Sequence, residues 1–285
     1  PRAPPAALLR LLVTGATGHL GGELVRAGAA AGWEVVGTSR AAPGWERLDV
    51  RDAAGVNALF ARVRPVAVIH AAYLQDGPDA FAVTARGSAN VASAARSAGA
   101  RLVHMSTDVV FDGLAGRPYR EQDPLSPVTG YGRAKAEAER LVGATVPDAA
   151  IVRTSLIHGG AGGRHERVVL EVARGERAMA FFTDELRCPV GVEDLAAALL
   201  ELLAVDHRGP IHLAGADAVS RFEFARLVAA ANGLGGVALE GERSADQPDR
   251  RPLDCRLDSG LAARLLETRL RGVRELLGGA AAGRS

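Results

Sequence analysis

The chain has 285 residues with 34 basic and 33 acidic side chains, and its formal charge of +1 is spread evenly, which excludes a charged tail or nucleic-acid stripe. That length can bury a core for one large α/β unit with an appended lobe, and no apolar stretch is long enough to span a bilayer. The two cysteines, Cys188 and Cys255, match neither metal-ligand spacing nor a secreted disulfide framework, so a reducing, cytoplasmic setting is expected, with no metal site.

In chain order, short apolar runs at residues 8–13, 35–38, 66–72, 102–106, 150–154 and 211–213 predict strands. Helices are predicted over 19–31, 53–63, 79–97, 132–141, 192–204 and 221–231. Continuous apolar strands alternating with amphipathic helices argue for a doubly wound parallel α/β sheet buried on both faces. The rhythm weakens through a Gly/Arg-rich stretch at 159–167 and again over 233–249. The expected division is a dinucleotide-binding domain over 1–155 that regains 189–231. A smaller, discontinuous C-terminal lobe takes 156–188 and 232–285, and residues 278–285 read as a mobile tail.

After the first predicted strand, Gly15-Ala16-Thr17-Gly18-His19-Leu20-Gly21 opens the first predicted helix. Strand, glycine turn and helix in that order is the context a phosphate-binding fingerprint requires. Glycines permit a tight turn and close backbone approach, and the helix N-terminus offers amide donors to a pyrophosphate. No Gly-Lys-Ser/Thr ending follows, which excludes a P-loop. At the end of the second strand, Ser39-Arg40 stands where many NAD-binding folds place an acid for the ribose 2′-hydroxyl. Arginine there favours a 2′-phosphate, hence NADPH over NADH. Asp49, beside Val50, could accept from an adenine amino group or cap the helix that begins near Asp52.

Lys135 is the only lysine in the chain and lies four residues after Tyr131, so on a helix the two share a face. In a chain that otherwise uses arginine, this suggests a need for a compact ammonium. Beside the phenol it would favour the phenolate, lower the tyrosine pKa and let the pair pass a proton. The plainer reading is a surface pair on an amphipathic helix.

Further strings accompany the glycine turn and the Tyr131/Lys135 pair: Ile69-His70-Ala71-Ala72, Asn90-Val91, Ser106-Thr107-Asp108-Val109-Val110-Phe111, Arg153-Thr154-Ser155 and Arg251-Pro252-Leu253-Asp254. With these the chain resembles the extended short-chain dehydrogenase/reductase family, and within it the dTDP-4-dehydrorhamnose reductases and their relatives. The resemblance implies a Rossmann domain, NADPH or NADH as cofactor, and reduction of a nucleotide-linked 4-keto-6-deoxy sugar. It implies a triad of Thr107, Tyr131 and Lys135. Tyr131 would donate a proton to the substrate carbonyl oxygen and Thr107 would hydrogen-bond that oxygen. Lys135 would hold the nicotinamide ribose while acidifying Tyr131.

By the same resemblance, cofactor contacts fall at Gly15, Thr17, Gly18, His19, Leu20, Gly21, Ser39, Arg40, Asp49, Val50, Ala71, Ala72, Tyr73, Lys135 and Ser155. Substrate contacts fall at Asp108, Val109, Leu156, Arg187 and Arg251, the arginines as partners of a diphosphate. Leu156 and His158 depart from the family, which usually carries tryptophan and tyrosine there, so the sugar pocket differs. His158 itself reads as a packing or hydrogen-bonding residue. Two other functions compete: a nucleotide-sugar epimerase or dehydratase of the same fold, and a non-catalytic, NADP-binding regulatory subunit. Asp108 as the lone acid beside Thr107 disfavours a dehydratase, and the intact triad argues against a purely regulatory role. The expected partner is the small-molecule substrate, with a homodimer as the protein assembly considered.

Overall fold

The computed structural model describes residues 9–160 and 163–282. The start of the first predicted strand, residues 161–162 of the Gly/Arg-rich stretch and residues 283–285 of the tail lie outside the described residues. Seven parallel strands form the central sheet: β1 (Arg10–Thr14), β2 (Glu34–Ser39), β3 (Glu46–Arg47), β4 (Ala67–His70), β5 (Arg101–Thr107), β6 (Ala150–Thr154) and a last strand, Gly209–Leu213. Their spatial order is last strand, β6, β5, β4, β1, β2, β3. The order reverses between β1 and β4, and in doubly wound sheets ligands bind outside the strand C-termini at that point.

Successive β1 residues serve opposite cores, which is why these strands read as unbroken apolar runs. Leu11 and Val13 join Ile69, Leu195 and Leu199 on the face covered by α1 (His19–Ala30) and α6 (Val192–Leu202). Leu12 joins Val56, Phe60, Val68, Val91 and Val142 under α2 (Ala53–Val63), α3 (Gly87–Ala98) and α4 (Gly130–Thr145). Asp52 caps α2 by accepting from the Gly55 amide at 3.0 Å.

The long predicted helix over 79–97 is interrupted: a π-turn, Ala82–Arg86, leads into α3. There the Thr84 hydroxyl donates to the Leu74 carbonyl at 2.9 Å and accepts from its amide at 3.0 Å, while Ser88 donates to the Thr84 carbonyl at 2.6 Å. These bonds to the loop after β4 replace regular helix contacts. A third core unites α5 (Arg164–Ala173), α7 (Arg221–Ala231) and α9 (Val273–Ala282) through Val169, Phe224, Val228 and Val273.

Packing therefore divides the chain differently from the sequence-based boundaries at two places. α7, expected with the sheet, buries Phe224 and Val228 in the lobe, whereas α8 (Gly260–Leu265), expected in the lobe, sets Ala262 against the sheet core. The stretch after residue 159 yields α5, and α9 runs into the expected tail. No helix among the described residues is long and apolar enough to cross a membrane.

Candidate active site

Gly15 ends β1 with φ +74°, and a Cβ there would stand 3.0 Å from the Ala72 backbone. A Cβ at Gly21 would lie 2.1 Å from the Gly15 carbonyl oxygen, so α1 seats flush on the turn only because both positions are glycine. Gly18 caps α1 with no side-chain hydrogen bond, and its first turn holds no acid. The first amides and the positive dipole end are thus presented without a side-chain cap, an arrangement that receives a phosphate. Thr17, Gly18 and His19 face a cleft whose far wall includes Gly160 and Val192. His19 Nε2 sits 2.7 Å from the Gly159 carbonyl oxygen, and the Leu20 side chain is buried, leaving its amide. This cradle fits a dinucleotide pyrophosphate.

At the adenosine end, Arg40 is exposed and has no hydrogen bond or ion pair among the described residues, whereas Ser39 Oγ accepts from the Ala42 amide at 3.1 Å. Asp49 does not cap the helix that begins near Asp52. Arg51 holds its carboxylate through Nε–Oδ1 at 3.0 Å and Nη2–Oδ2 at 2.7 Å, and the helix cap is Asp52. The Val50 side chain is core, and its carbonyl accepts from Asn90 Nδ2 at 2.9 Å.

His70 braces the Ala71-Ala72 segment against the glycine turn. Because Ser88 gives its hydroxyl hydrogen to the Thr84 carbonyl, His70 Nε2 donates to Ser88 Oγ at 3.0 Å. His70 Nδ1 then accepts from Thr14 at 2.6 Å, and Thr14 accepts from the Ala72 amide at 3.2 Å. Burial holds the His70 ring neutral, with its pKa pushed down to about 3.

The triad residues converge at the C-terminal end of β5. Thr107 ends the strand, and Thr129 caps α4 by accepting from the Gly132 amide at 3.0 Å, which puts Tyr131 in the first turn. The Thr107 hydroxyl acts on the Tyr131 phenol, opposing the rise of its pKa. Lys135, one turn on and buried, donates to the Met105 carbonyl at 2.8 Å. Its Nζ also lies 5.1 Å from the centroid of the Tyr73 ring, which stands 5.6 Å from that of Tyr131. Gly132 is required here too, since a Cβ would lie 2.2 Å from the Val109 carbonyl oxygen.

The expected acidification of Tyr131 is overturned in the free protein. Its pKa stands well above the ordinary value, because of burial first and then the nearby Tyr73 and Asp108, with Thr107 opposing. Lys135 is itself pulled down to about 8 by burial, against the pull of Glu139.

Asp108 is buried behind Thr107. It accepts from Thr107 at 3.2 Å and from Ser155 Oγ at 2.7 Å, and pairs with Arg187 at 3.6 Å. Ser155 Oγ is thereby bonded to Asp108 and to the Cys188 amide, from which it accepts at 3.2 Å.

Arg187 is likewise closed. Nη1 donates to the Leu186 and Leu253 carbonyls at 2.8 and 2.7 Å, Nη2 donates to the Pro252 carbonyl at 2.8 Å, and Asp108 and Glu185 take the rest. It is a buried clamp and has no donor left for a diphosphate. Arg251 is exposed, bonded through Nε to Glu185 at 2.5 Å over the Phe182 ring, with its terminal nitrogens open. Leu156 is buried. His158 is buried against Phe224 at 6.0 Å with neither ring nitrogen bonded, and burial lowers its pKa to about 4.

Sequence reasoning missed Arg221. Its guanidinium has no hydrogen bond or ion pair among the described residues. Its pKa is lowered to about 10 by burial and by the like charges of Arg187 and Arg251, with Glu185 opposing. No local pattern marks it. Pairing of Val219–Ser220 with Leu186–Arg187 is what brings it beside them.

Residues 9–282 match the family described as RmlD substrate binding domain. The dTDP-4-dehydrorhamnose reductase of Mycolicibacterium smegmatis is 34% identical over 279 residues, 94% of this chain and 84% of that one. The Mycobacterium tuberculosis (H37Rv) protein of the same name is 37% identical over 231 residues, 77% of this chain and 74% of that one. A crystal structure of dTDP-4-dehydrorhamnose reductase from Bacillus anthracis in complex with NADP matches with a TM-score of 0.86 over 98% of this chain and 100% of that one, a likeness of fold at 24% identity. With the glycine cradle and the β5–α4 constellation in place, the chain belongs to the RmlD substrate-binding-domain family of extended short-chain dehydrogenase/reductase-like proteins.

Proposed function

We propose that the chain is an NAD(P)H-dependent reductase that converts the keto group of a nucleotide-linked 4-keto-6-deoxy sugar to a hydroxyl, with NADPH preferred. The observation that carries this reading is the meeting of Thr107, Tyr131 and Lys135 at the end of β5, next to the strand whose Ala71-Ala72 extension lines the glycine turn. The family membership and the reductase names of the relatives support it.

The nicotinamide, when bound, supplies a hydride to the carbonyl carbon. Tyr131 gives its hydroxyl hydrogen to the carbonyl oxygen, so that C=O becomes CH–OH. Its raised pKa keeps the phenol protonated at neutral pH, as a proton donor requires. The Thr107 hydroxyl, turned from Asp108, then donates to the phenolate that remains, and Lys135, cationic below about pH 8, stabilises the same charge. Lys135 and Tyr73 would hold the nicotinamide ribose, and the amides after Gly18 the pyrophosphate. Arg40 would take the 2′-phosphate. Arg221 and Arg251, rather than Arg187, would pair with the sugar-nucleotide diphosphate. The Asp108 carboxylate is occupied by Thr107, Ser155 and Arg187, which disfavours a dehydratase that needs a free acid there.

The test is oxidation of NADPH and of NADH, followed at the nicotinamide absorbance band, with dTDP- and UDP-linked 4-keto-6-deoxyhexoses generated in situ. Turnover, faster with NADPH, is expected. Tight NADPH binding without turnover of any such sugar would overturn the reductase reading in favour of a regulatory subunit.

A further inference from the structure

We infer that Glu139 is a positioning residue for the Tyr131–Lys135 pair: clamped by Arg153 and Ser106, it fixes the register of α4 on β5 and β6 and sets a carboxylate one turn beyond the buried Lys135 on the same helix face. The inference rests on the catalytic reading of Lys135 given above.

Tyr131, Lys135 and Glu139 follow at intervals of four along α4 and so share one face. The Glu139 and Arg153 side chains are only 5% and 4% exposed. Arg153 Nε lies 3.0 and 3.2 Å from the two carboxylate oxygens, Nη2 donates to Oε2 at 2.8 Å, and Ser106 Oγ donates to Oε1 at 2.5 Å. The guanidinium is completed by the Glu121 carbonyl at 3.0 Å and the Phe111 ring at 5.2 Å.

Two consecutive β5 residues therefore hold two residues of α4: the Met105 carbonyl holds Lys135 and Ser106 holds Glu139. A slip of α4 would break both contacts together.

The groups facing Lys135 leave Glu139 as its counter-charge. From β4 and β5 come His70 and His104, whose own pKa values are driven down by burial and by the ammonium. The loop after β4 contributes the Tyr73 ring. Asp108, on the turn after β5, acts on Tyr131. On the π-turn and α3, Arg86 is exposed and Arg96 donates to the Thr145 carbonyl at the far end of α4 at 3.0 Å, and Arg153 on β6 faces Glu139. Burial works against the ammonium and Glu139 works for it.

A purely structural ion pair would change stability and leave the lysine titration alone. Because Lys135 is the only lysine, protein labelled with [13Cε]lysine gives one titrating signal from that side chain. The expected midpoint is about 8 in the wild type. It should fall by about one pH unit in Glu139→Gln, with the alkaline limb of kcat/KM moving by the same amount. If Glu139→Gln does not fold because Arg153 is stranded, Glu139→Gln/Arg153→Met removes both charges at much smaller cost, and a downward shift is expected there as well. Ser106→Ala keeps the carboxylate, so it should lose stability and leave the midpoint in place. An unchanged midpoint in either folded Glu139 variant overturns the inference. The signal needs no substrate, so a wild type that reduces no sugar would sink the catalytic reading while the titration still decides the role of Glu139.

Discussion

Arg187 Nε lies 3.6 Å from Asp108 Oδ2, with side chains 4% and 5% exposed. This contact joins the lobe strand Leu186–Arg187 to the turn that begins at Thr107, so lobe and sheet meet through a buried charge pair directly behind the reacting groups. Burial raises the Asp108 pKa, and Arg187 is the first influence opposing that rise.

Arg187→Met should therefore leave a buried carboxylate without its counter-charge. A loss of about 3–5 kcal/mol is expected in urea unfolding, much of it recovered in Arg187→Met/Asp108→Asn. A loss below about 1 kcal/mol in the single variant would mean that the pair does not couple lobe to sheet.

Tyr131→Phe removes the proton donor and keeps the ring against Tyr73. A fall in kcat of about 10²–10⁴-fold is expected, with NADPH affinity, read by fluorescence titration, nearly unchanged. Retained turnover would move the proton-donor role away from Tyr131.

Arg221→Ala should raise KM for the sugar nucleotide about 10–100-fold, since a charge-assisted bond contributes about 1.5–3 kcal/mol. NADPH affinity should hold, and stability should not fall, because the guanidinium has no hydrogen bond or ion pair among the described residues and sits beside the like charges of Arg187 and Arg251. An unchanged KM would assign the diphosphate to other residues.

Gly21→Ala places a Cβ 2.1 Å from the Gly15 carbonyl, whereas at Gly22 the nearest atom, the Ala16 carbonyl oxygen, is 3.7 Å away. The first variant should weaken NADPH binding and lower Tm. Gly22→Ala should raise stability by up to about 1 kcal/mol through helix propensity. Calorimetry of the two variants side by side checks the cradle, and equal behaviour would refute it.

Acid should destabilise the fold by protonating, in the unfolded chain, rings that burial keeps neutral in the folded one. Burial lowers the pKa of His70 to about 3 and of His158 and His212 to about 4 from 6.5, and that of His104 well below 6.5. The folded rings stay neutral while the unfolded ones gain protons, so this stability is fully present above pH 6.5 and is lost as pH falls toward 4. Each ring contributes up to about 1.4 kcal/mol per pH unit in that window. Urea midpoints that stay flat across it would contradict the burial of these rings.

The six predicted strands, the glycine turn and the Tyr131/Lys135 offset were legible because each is a local pattern. An unbroken apolar run marks a strand buried on both faces, and a spacing of four marks a shared helix face. α5 escaped notice because its first turn, Arg164-His165-Glu166-Arg167, continues a Gly/Arg-rich stretch, and the π-turn escaped because the groups it bonds lie across space at Leu74.

What the sequence by itself determined was the sheet order's ingredients, the glycine turn and the spacing that puts Tyr131 and Lys135 on one helix face, all fixed by chemistry at short separations along the chain. Only the tertiary structure decided that Arg187 is closed while Arg221 is open, that Ser155 serves Asp108, and that Tyr131 keeps its proton. Those properties depend on burial and on partners tens of residues away, where water is excluded and each donor or charge must find its match inside the protein.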